Sequence, residues 1–446
     1  MRTLPLAVAG ACLVAVVAGP PSAALRSSPL ALPMTVAPVA VPSSLGQFPV
    51  YDAAGTLLRD ATYRVTPAGG NCCEVALTAT ADGRLLDLGG SVPVFSDDGG
   101  VTWSSATPPL PVVNGEGAIA AAPGGAVVGI AWDAYSGDRL MAYRYTPAEG
   151  WTYHENPWHA PFFDRPWVTV VKGPFALPDG GTAPWASIVR AGSSLVRETE
   201  LVSYDGLVYH DLALPVAAAA LPADTAPLPV VADADTDRLQ AHSQSLTSPL
   251  PGGGAIRLQD RGLGCPSGLM VLRSTVSWAC LDLGGTRLTG DVRADGRGWL
   301  HEVVYGIPGD TELGRDLVTY RVSTDGGATW RSTVYRLPGD RTDTKPDVKV
   351  DSARHRTYVA LRAIVPSGQQ DMVLAFDHTG GTPALDEVFH VGLGDLLVGS
   401  DIAATGPRMD FASIVVLPDG RFAVAYDDST TRTGTDNPQP WVAVLQ

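Results

Sequence analysis

Apolar and polar residues alternate along this chain in short runs, which break at Asp-Gly pairs and then resume. EVALTATADGRLLDL from Glu74, GDVRADGRGWLHEVVY from Gly290 and DFASIVVLPDGRFAVAY from Asp410 share this layout, and PDVKVDSARHRTYVAL from Pro346 repeats it with a drawn-out turn. A period of two sends successive side chains to opposite faces of a strand, and Asp-Gly suits the turn of a tight hairpin. Each unit predicts a pair of antiparallel strands. Further sheets are expected around Ala118 to Tyr145, Trp167 to Tyr209 and Val230 to Leu258. With the four units these make seven, or six if Val230 to Asp282 is one sheet with an elaborate loop. No long stretch of helical period appears, and 49 glycines and 37 prolines punctuate the runs.

A second repeat lies across the first. SDDGGVTW at Ser96 to Trp103 returns as STDGGATW at Ser323 to Trp330. Ser96 and Asp98 have short side chains that can fold back onto turn amides, Gly99 and Gly100 tolerate positive φ, and Thr102 and Trp103 suit an outgoing strand. Ser323, Asp325, Gly327, Thr329 and Trp330 repeat the arrangement, so each copy reads as a hairpin turn with its own clamp.

These two segments resemble the Asp-box, or BNR repeat, of sialidases and of many non-enzymatic β-propellers. The resemblance implies an all-β fold, a six- or seven-bladed β-propeller with Asp-box hairpins. It says little about activity, because one fold hosts unrelated functions. The ring is expected to close by pairing a strand pair within Phe48 to Val65 with a last strand at WVAVL from Trp441. Closure removes the exposed edges that an open series of sheets would leave.

The N-terminus has the layout of a signal peptide: Arg2, then LPLAVAGACLVAVVAG, then small residues near Ser22 to Ala24. Ala9-Gly10-Ala11 before Cys12 also permits a lipoprotein reading, but the apolar stretch continues past Cys12, which favours cleavage near Ala24. The domain reading is a signal peptide over 1–24, a flexible Pro/Ala-rich leader over 25–49, and one propeller over 50–446. A secreted monomer without a membrane span is expected, since no later stretch reaches the ~18 apolar residues a span needs. The remaining cysteines, Cys72, Cys73, Cys265 and Cys280, allow three pairings. A local Cys265 to Cys280 bridge is preferred on loop length, and cross-links from the adjacent pair to the distant two stay open.

The formal charge of −15 argues against nucleic acid, and there is no basic run. No nucleophile elbow, metalloprotease pair or phosphate loop is present, and no cofactor or metal is expected. His154 and His159 are the closest pair of histidines in one loop, a weak signal for a metal.

The sialidase resemblance implies three arginines around a substrate carboxylate and a tyrosine nucleophile with a glutamate partner. Tyr63-Arg64-Val65-Thr66-Pro67 is similar to the element bearing the first arginine, and Arg315, Arg321 and Arg408 are the later candidates. The segment from Asp410 is similar to the one bearing the nucleophile, but its position reads Phe411, which has no oxygen to attack with, and the terminal glutamate reads Asp427. Tyr426, Tyr320, and Tyr305 with Glu302 are conceivable substitutes. NPWHAPFFDRPWVTV from Asn156 resembles an element of secreted Asp-box proteins. Its Trp158 and Trp167 could pack between sheets or, with Asp164 and Arg165, form a binding rim. The expected role is recognition of an extracellular glycan or a surface protein at the channel mouth, through Arg64, Glu74, Asp164, Arg165, Arg315, Asp347, Arg408 and Asp410. A glycosidase with a displaced nucleophile and a protein-interaction propeller are the alternatives.

Overall fold

The computed structural model describes residues 38–39, 43–67, 76–88, 93–105, 117–132, 139–157, 166–177, 179–191, 199–212, 223–224, 226–240, 247–258, 269–272, 278–281, 290–305, 316–338, 340–341, 346–365, 368–395, 412–428 and 439–446. They build an all-β, propeller-like arrangement. Among them no helix is long and apolar enough to cross a membrane.

Five small blades follow one another along the chain. Blade 1 comprises Leu77–Ala79, Leu85–Asp87, Val94–Ser96 and Trp103–Ser105, with Pro38–Val39 added at its outer edge. Blade 2 comprises Gly117–Ala121, Val127–Trp132, Arg139–Thr146 and Gly150–Pro157, and blade 3 Trp167–Ala176, Thr182–Ala191, Thr199–Ser203 and His210–Leu212. Blade 4 holds Thr247–Pro249, Ala255–Leu258, Leu269–Leu272 and Trp278–Leu281, edged by Ala223–Asp224. Blade 5 holds Gly290–Ala294, Leu300–Tyr305, Leu317–Ser323 and Arg331–Arg336.

The expected six or seven separate blades are corrected here, because the remaining strands form one ten-stranded sheet. One half runs from Asp347–Asp351 through Arg356–Val365 and Gly368–Asp377 to Ala384–Asp395, with the short Asp340–Arg341 also paired to Arg356–Val365. The other runs from Ser413–Val416 through Phe422–Asp428, Gln439–Leu445 and Leu57–Pro67 to Ser44–Tyr51. The halves join where Val50 and Tyr51 pair with Phe389 and Val388. Backbone hydrogen bonding thus continues across a boundary that the sequence signals only as a loop.

The expected closure is present: Tyr63 to Pro67 pairs with Trp441 to Leu445, tying the first part of the chain to its last strand. Two strands, Pro38–Val39 and most of Ser44–Tyr51, lie within the stretch read as a leader. The sheet expected from Val230 is also corrected. Residues 226–240 form no strand, and blade 4 begins at Thr247. All four Asp-Gly or drawn-out units form the expected antiparallel pairs.

The innermost strand of each unit touches the next in a closed cycle. Leu77–Ala79 meets Gly117–Ala121, then follow Trp167–Ala176, Thr247–Pro249, Gly290–Ala294, Asp347–Asp351 and Ser413–Val416, which returns to Leu77–Ala79. Apolar faces bury between neighbouring sheets, where Ile119, Ala131, Met141 and Trp151 pack with Leu86 and Leu88, and between the halves of the ten-stranded sheet, where Tyr63, Phe389 and Phe422 pack with Ile414 and Val424. Each fully buried aliphatic side chain contributes roughly 1.5–3 kcal/mol.

Candidate functional site

Polar groups on the innermost strands stitch the cycle together. Thr78 Oγ1 accepts the Ala121 amide at 3.1 Å, Ser413 Oγ accepts the Leu77 amide at 2.9 Å, and Ser248 Oγ accepts the Ala294 amide at 3.1 Å. A hydroxyl suits this position because it reaches an amide on the neighbouring strand with little side-chain entropy to lose.

Charged residues complete the belt. Asp347 Oδ2 accepts the Ile414 amide at 2.9 Å and its Oδ1 accepts Lys349 Nζ at 2.9 Å. Arg293 Nε donates to the Val348 carbonyl at 3.2 Å, its Nη1 to the Thr247 carbonyl at 3.1 Å, and its Nη2 lies 3.0 Å from Asp291 Oδ2. All four charged side chains are buried. Burial pushes the Lys349 ammonium below its ordinary value, against the attraction of Asp347. Two acids and two bases thus neutralise one another at the ring centre.

One end of the ring is stoppered. The short helix Thr236–Leu239 touches the innermost strands of blades 2, 3 and 4 and Asp347–Asp351. Gln240 accepts the Val350 amide at 2.7 Å and donates to the Val350 carbonyl, as a neighbouring strand would. Asp237 accepts the Gly296 and Ser352 amides at 2.7 Å each, and Lys172 Nζ bridges Asp233 at 2.7 Å and Asp235 at 3.1 Å. The strap over 226–240 approaches closely enough that a Cβ on Gly326 would lie 2.0 Å from the Leu228 carbonyl. Beside the helix a polar cavity of ≈ 210 Å³ remains, lined by Thr80, Asp237, Gln240, Lys349, Asp351 and Arg354 among others.

The strap lies on the face of the hairpin turns. Innermost and second strands are joined by four or five residues throughout: 80–84, 122–126, 177–181, 250–254, 295–299, 352–355 and 417–421. Strand ends at the other face are mostly separated by longer stretches of sequence, such as 106–116, 158–166, 259–268, 306–316, 396–412 and 429–438.

The two repeated octapeptides form the clamps expected of them. Ser96 Oγ donates to Asp98 Oδ1 at 2.8 Å and accepts the Gly100 amide, while Asp98 accepts the Thr102 amide at 2.8 Å and its hydroxyl at 2.6 Å. Ser323, Asp325, Gly327 and Thr329 reproduce these distances. The indoles differ: Trp103 Nε1 donates to Thr66 Oγ1 in the ten-stranded sheet, whereas Trp330 Nε1 donates to the Gly327 carbonyl. A third clamp went unread in the sequence. Ser203 Oγ donates to Asp205 Oδ1 at 2.8 Å and accepts the Gly206 amide at 2.9 Å, and Asp205 accepts the Leu207 and Val208 amides. Ser-x-Asp-Gly was its signal, without the Thr-Trp that marks the other two.

Arg64 lies on Leu57–Pro67, three strands outward from Ser413–Val416, and donates to Ser43 Oγ at 3.3 Å. Asp347 lies in the central belt, so the two share no site. Glu74, Asp164, Arg165, Arg315, Arg408, Asp410, Phe411, Trp158, His159, Cys72, Cys73 and Cys265 lie outside the described residues. Cys280 is buried in blade 4, and its pairing falls outside them too. Trp167 is buried between blades, in keeping with the packing alternative.

Two of the tyrosines considered as nucleophiles, Tyr320 and Tyr426, sit in the core. Tyr426 packs with Phe422 and Val424, and Tyr320 shares its hydroxyl with His301, Thr357 and His378. Burial drives the Tyr320 phenol well above its usual range. Glu302 is paired with Arg321 at 2.9 Å, and burial raises it to about 7. Arg321 in turn lies over Trp330 at 5.0 Å. Among the described residues, one group could hold a metal: Asp295, His301 and His378.

No protein-family model matches the chain, and no curated protein does. Among solved structures it is similar to a protein of unknown function from Dyadobacter fermentans DSM 18053, at 12% identity and a TM-score of 0.36, over 90% of this chain and 99% of that one. It is also similar to a fungal alcohol oxidase of the AA5 family in complex with copper, at 11% identity and a TM-score of 0.29, over 93% and 74%.

Proposed function

We propose that this chain is a secreted recognition propeller of the Asp-box, sialidase-like type, which binds an extracellular glycan or a surface protein at one mouth of its ring. The asymmetry of its connections carries the reading: short clamped hairpins and a pinned strap on one face, long connections on the other. A rigid scaffold that spends its sequence length at one rim is organised for binding there.

A non-catalytic role is favoured because the tyrosines considered as nucleophiles whose side chains are described are core residues, and Glu302 is committed to Arg321. The test is a glycan array probed with purified mature protein, alongside release of a fluorescent aglycone from an α-sialoside. Binding without turnover is expected, weakened by Asp164→Ala and Arg165→Ala and unchanged by Asp98→Ala. Turnover that Arg64→Ala abolishes would replace this reading with the glycosidase one.

A further inference from the structure

Three side chains that ligate metals meet beneath the hairpin face, between blade 5 and the ten-stranded sheet. Asp295 stands at the 295–299 turn, His301 on Leu300–Tyr305, and His378 just after Gly368–Asp377. One ligand atom from each lies within 4.8 Å of the others, and all three residues are buried.

A single phenol orients both imidazoles. Tyr320 Oη lies 2.7 Å from His301 Nδ1, 3.1 Å from His378 Nδ1 and 2.7 Å from Thr357 Oγ1. A phenol has one proton and two acceptor sites. A ring that donates its Nδ1–H to this phenol keeps a bare Nε2 for a ligand atom. His378 Nε2 is fully buried with no hydrogen-bond partner. His301 Nε2 lies 3.1 Å from Asp295 Oδ2, a pair that either a proton or a cation can bridge. A cation in this place would satisfy all three atoms. Metal-ligating histidines commonly have their second nitrogen held in this way.

We propose that Asp295, His301 and His378 bind a divalent first-row transition ion of the zinc and copper(II) class. Two imidazole nitrogens and one carboxylate oxygen favour such ions over calcium or magnesium, which require more oxygens. Arg297 donates to the same Asp295 Oδ2 at 2.7 and 3.0 Å and stacks on Trp299 at 3.9 Å, which fixes the carboxylate. The bound ion ties blade 5 to the neighbouring sheet, a structural role suited to its burial.

Elemental analysis and thermal unfolding test this on the purified protein, stripped with chelator and then titrated with ZnCl2 or CuCl2. One equivalent bound and a melting point raised by roughly 2–5 °C are expected, both lost in His378→Gln. Tyr320→Phe keeps the ligands but frees the rings, and binding about 10–100-fold weaker is expected. Should His378→Gln fail to fold, the absorption spectrum of cobalt(II) added to the stripped wild type decides, since d–d bands of a low-coordinate site support the proposal. No bound equivalent and no shift with either ion, or metal retained by a folded His378→Gln, would overturn it and leave a proton between His301 and Asp295.

Discussion

Asp347 holds the Ile414 amide with one carboxylate oxygen and the Lys349 ammonium with the other, each at 2.9 Å. One side chain thereby fastens two innermost strands and neutralises a buried cation.

Asp347→Ala leaves Lys349 charged and buried without this partner, so a loss of about 3–5 kcal/mol is expected in urea unfolding. The double change Asp347→Leu with Lys349→Met removes both charges and should recover most of that loss. A single variant as stable as the wild type would show that the pair does not hold the ring.

The clamped turns should behave alike. Asp98, Asp205 and Asp325 each accept backbone amides across their turns. Each change to alanine is expected to cost about 1–3 kcal/mol by thermal denaturation. Equal effects at the three sites would establish Asp205 as the third member of the set.

The strap predicts a contrast between two glycines of similar φ, +70° at Gly326 and +74° at Gly124. Gly124→Ala meets nothing within 4 Å and should cost only the conformational penalty of about 1–2 kcal/mol. Gly326→Ala collides with Leu228 backbone and should in addition expose 226–240 to limited proteolysis. Equal proteolysis of the two variants would sink the idea that the strap is pinned there.

Asp237 sets a pH dependence. Burial raises its carboxyl to about 6, despite the hydrogen bonds from Ser352 and Gly296. The native state then holds a proton that the unfolded chain releases near its ordinary value of 3.8, so stability falls as pH rises through the window from about 4 to 6. The contribution is roughly 2–3 kcal/mol. Asp237→Asn should be less stable throughout, yet the gap to the wild type should narrow across that window in denaturation series. A constant gap would contradict the raised value.

Repeats made the strands legible. Asp-Gly within alternating runs located three strand pairs and a drawn-out turn a fourth, and the two octapeptides located two clamps, because turn chemistry is local and its residues adjoin in sequence. The Ser203 clamp escaped notice because its hydroxyl and carboxylate suffice without Thr and Trp. Where the signal was non-local, the reading ran out. Val230 and Val231 looked like strand, and nothing nearby in sequence announces that this segment crosses to Gly296 and Gly326.

The sequence by itself determined the class of fold, the hairpins and the closure of the chain, since period, turn residues and apolar pattern act over a few positions. Only the tertiary structure decided that ten strands share one sheet, that a strap stops one end of the ring, and that Asp347 reaches Ile414 on the neighbouring innermost strand. It alone brought Asp295, His301 and His378 around Tyr320. Those outcomes depend on groups that meet across blades, where the desolvation of each charge or lone pair is settled by partners far away in the chain.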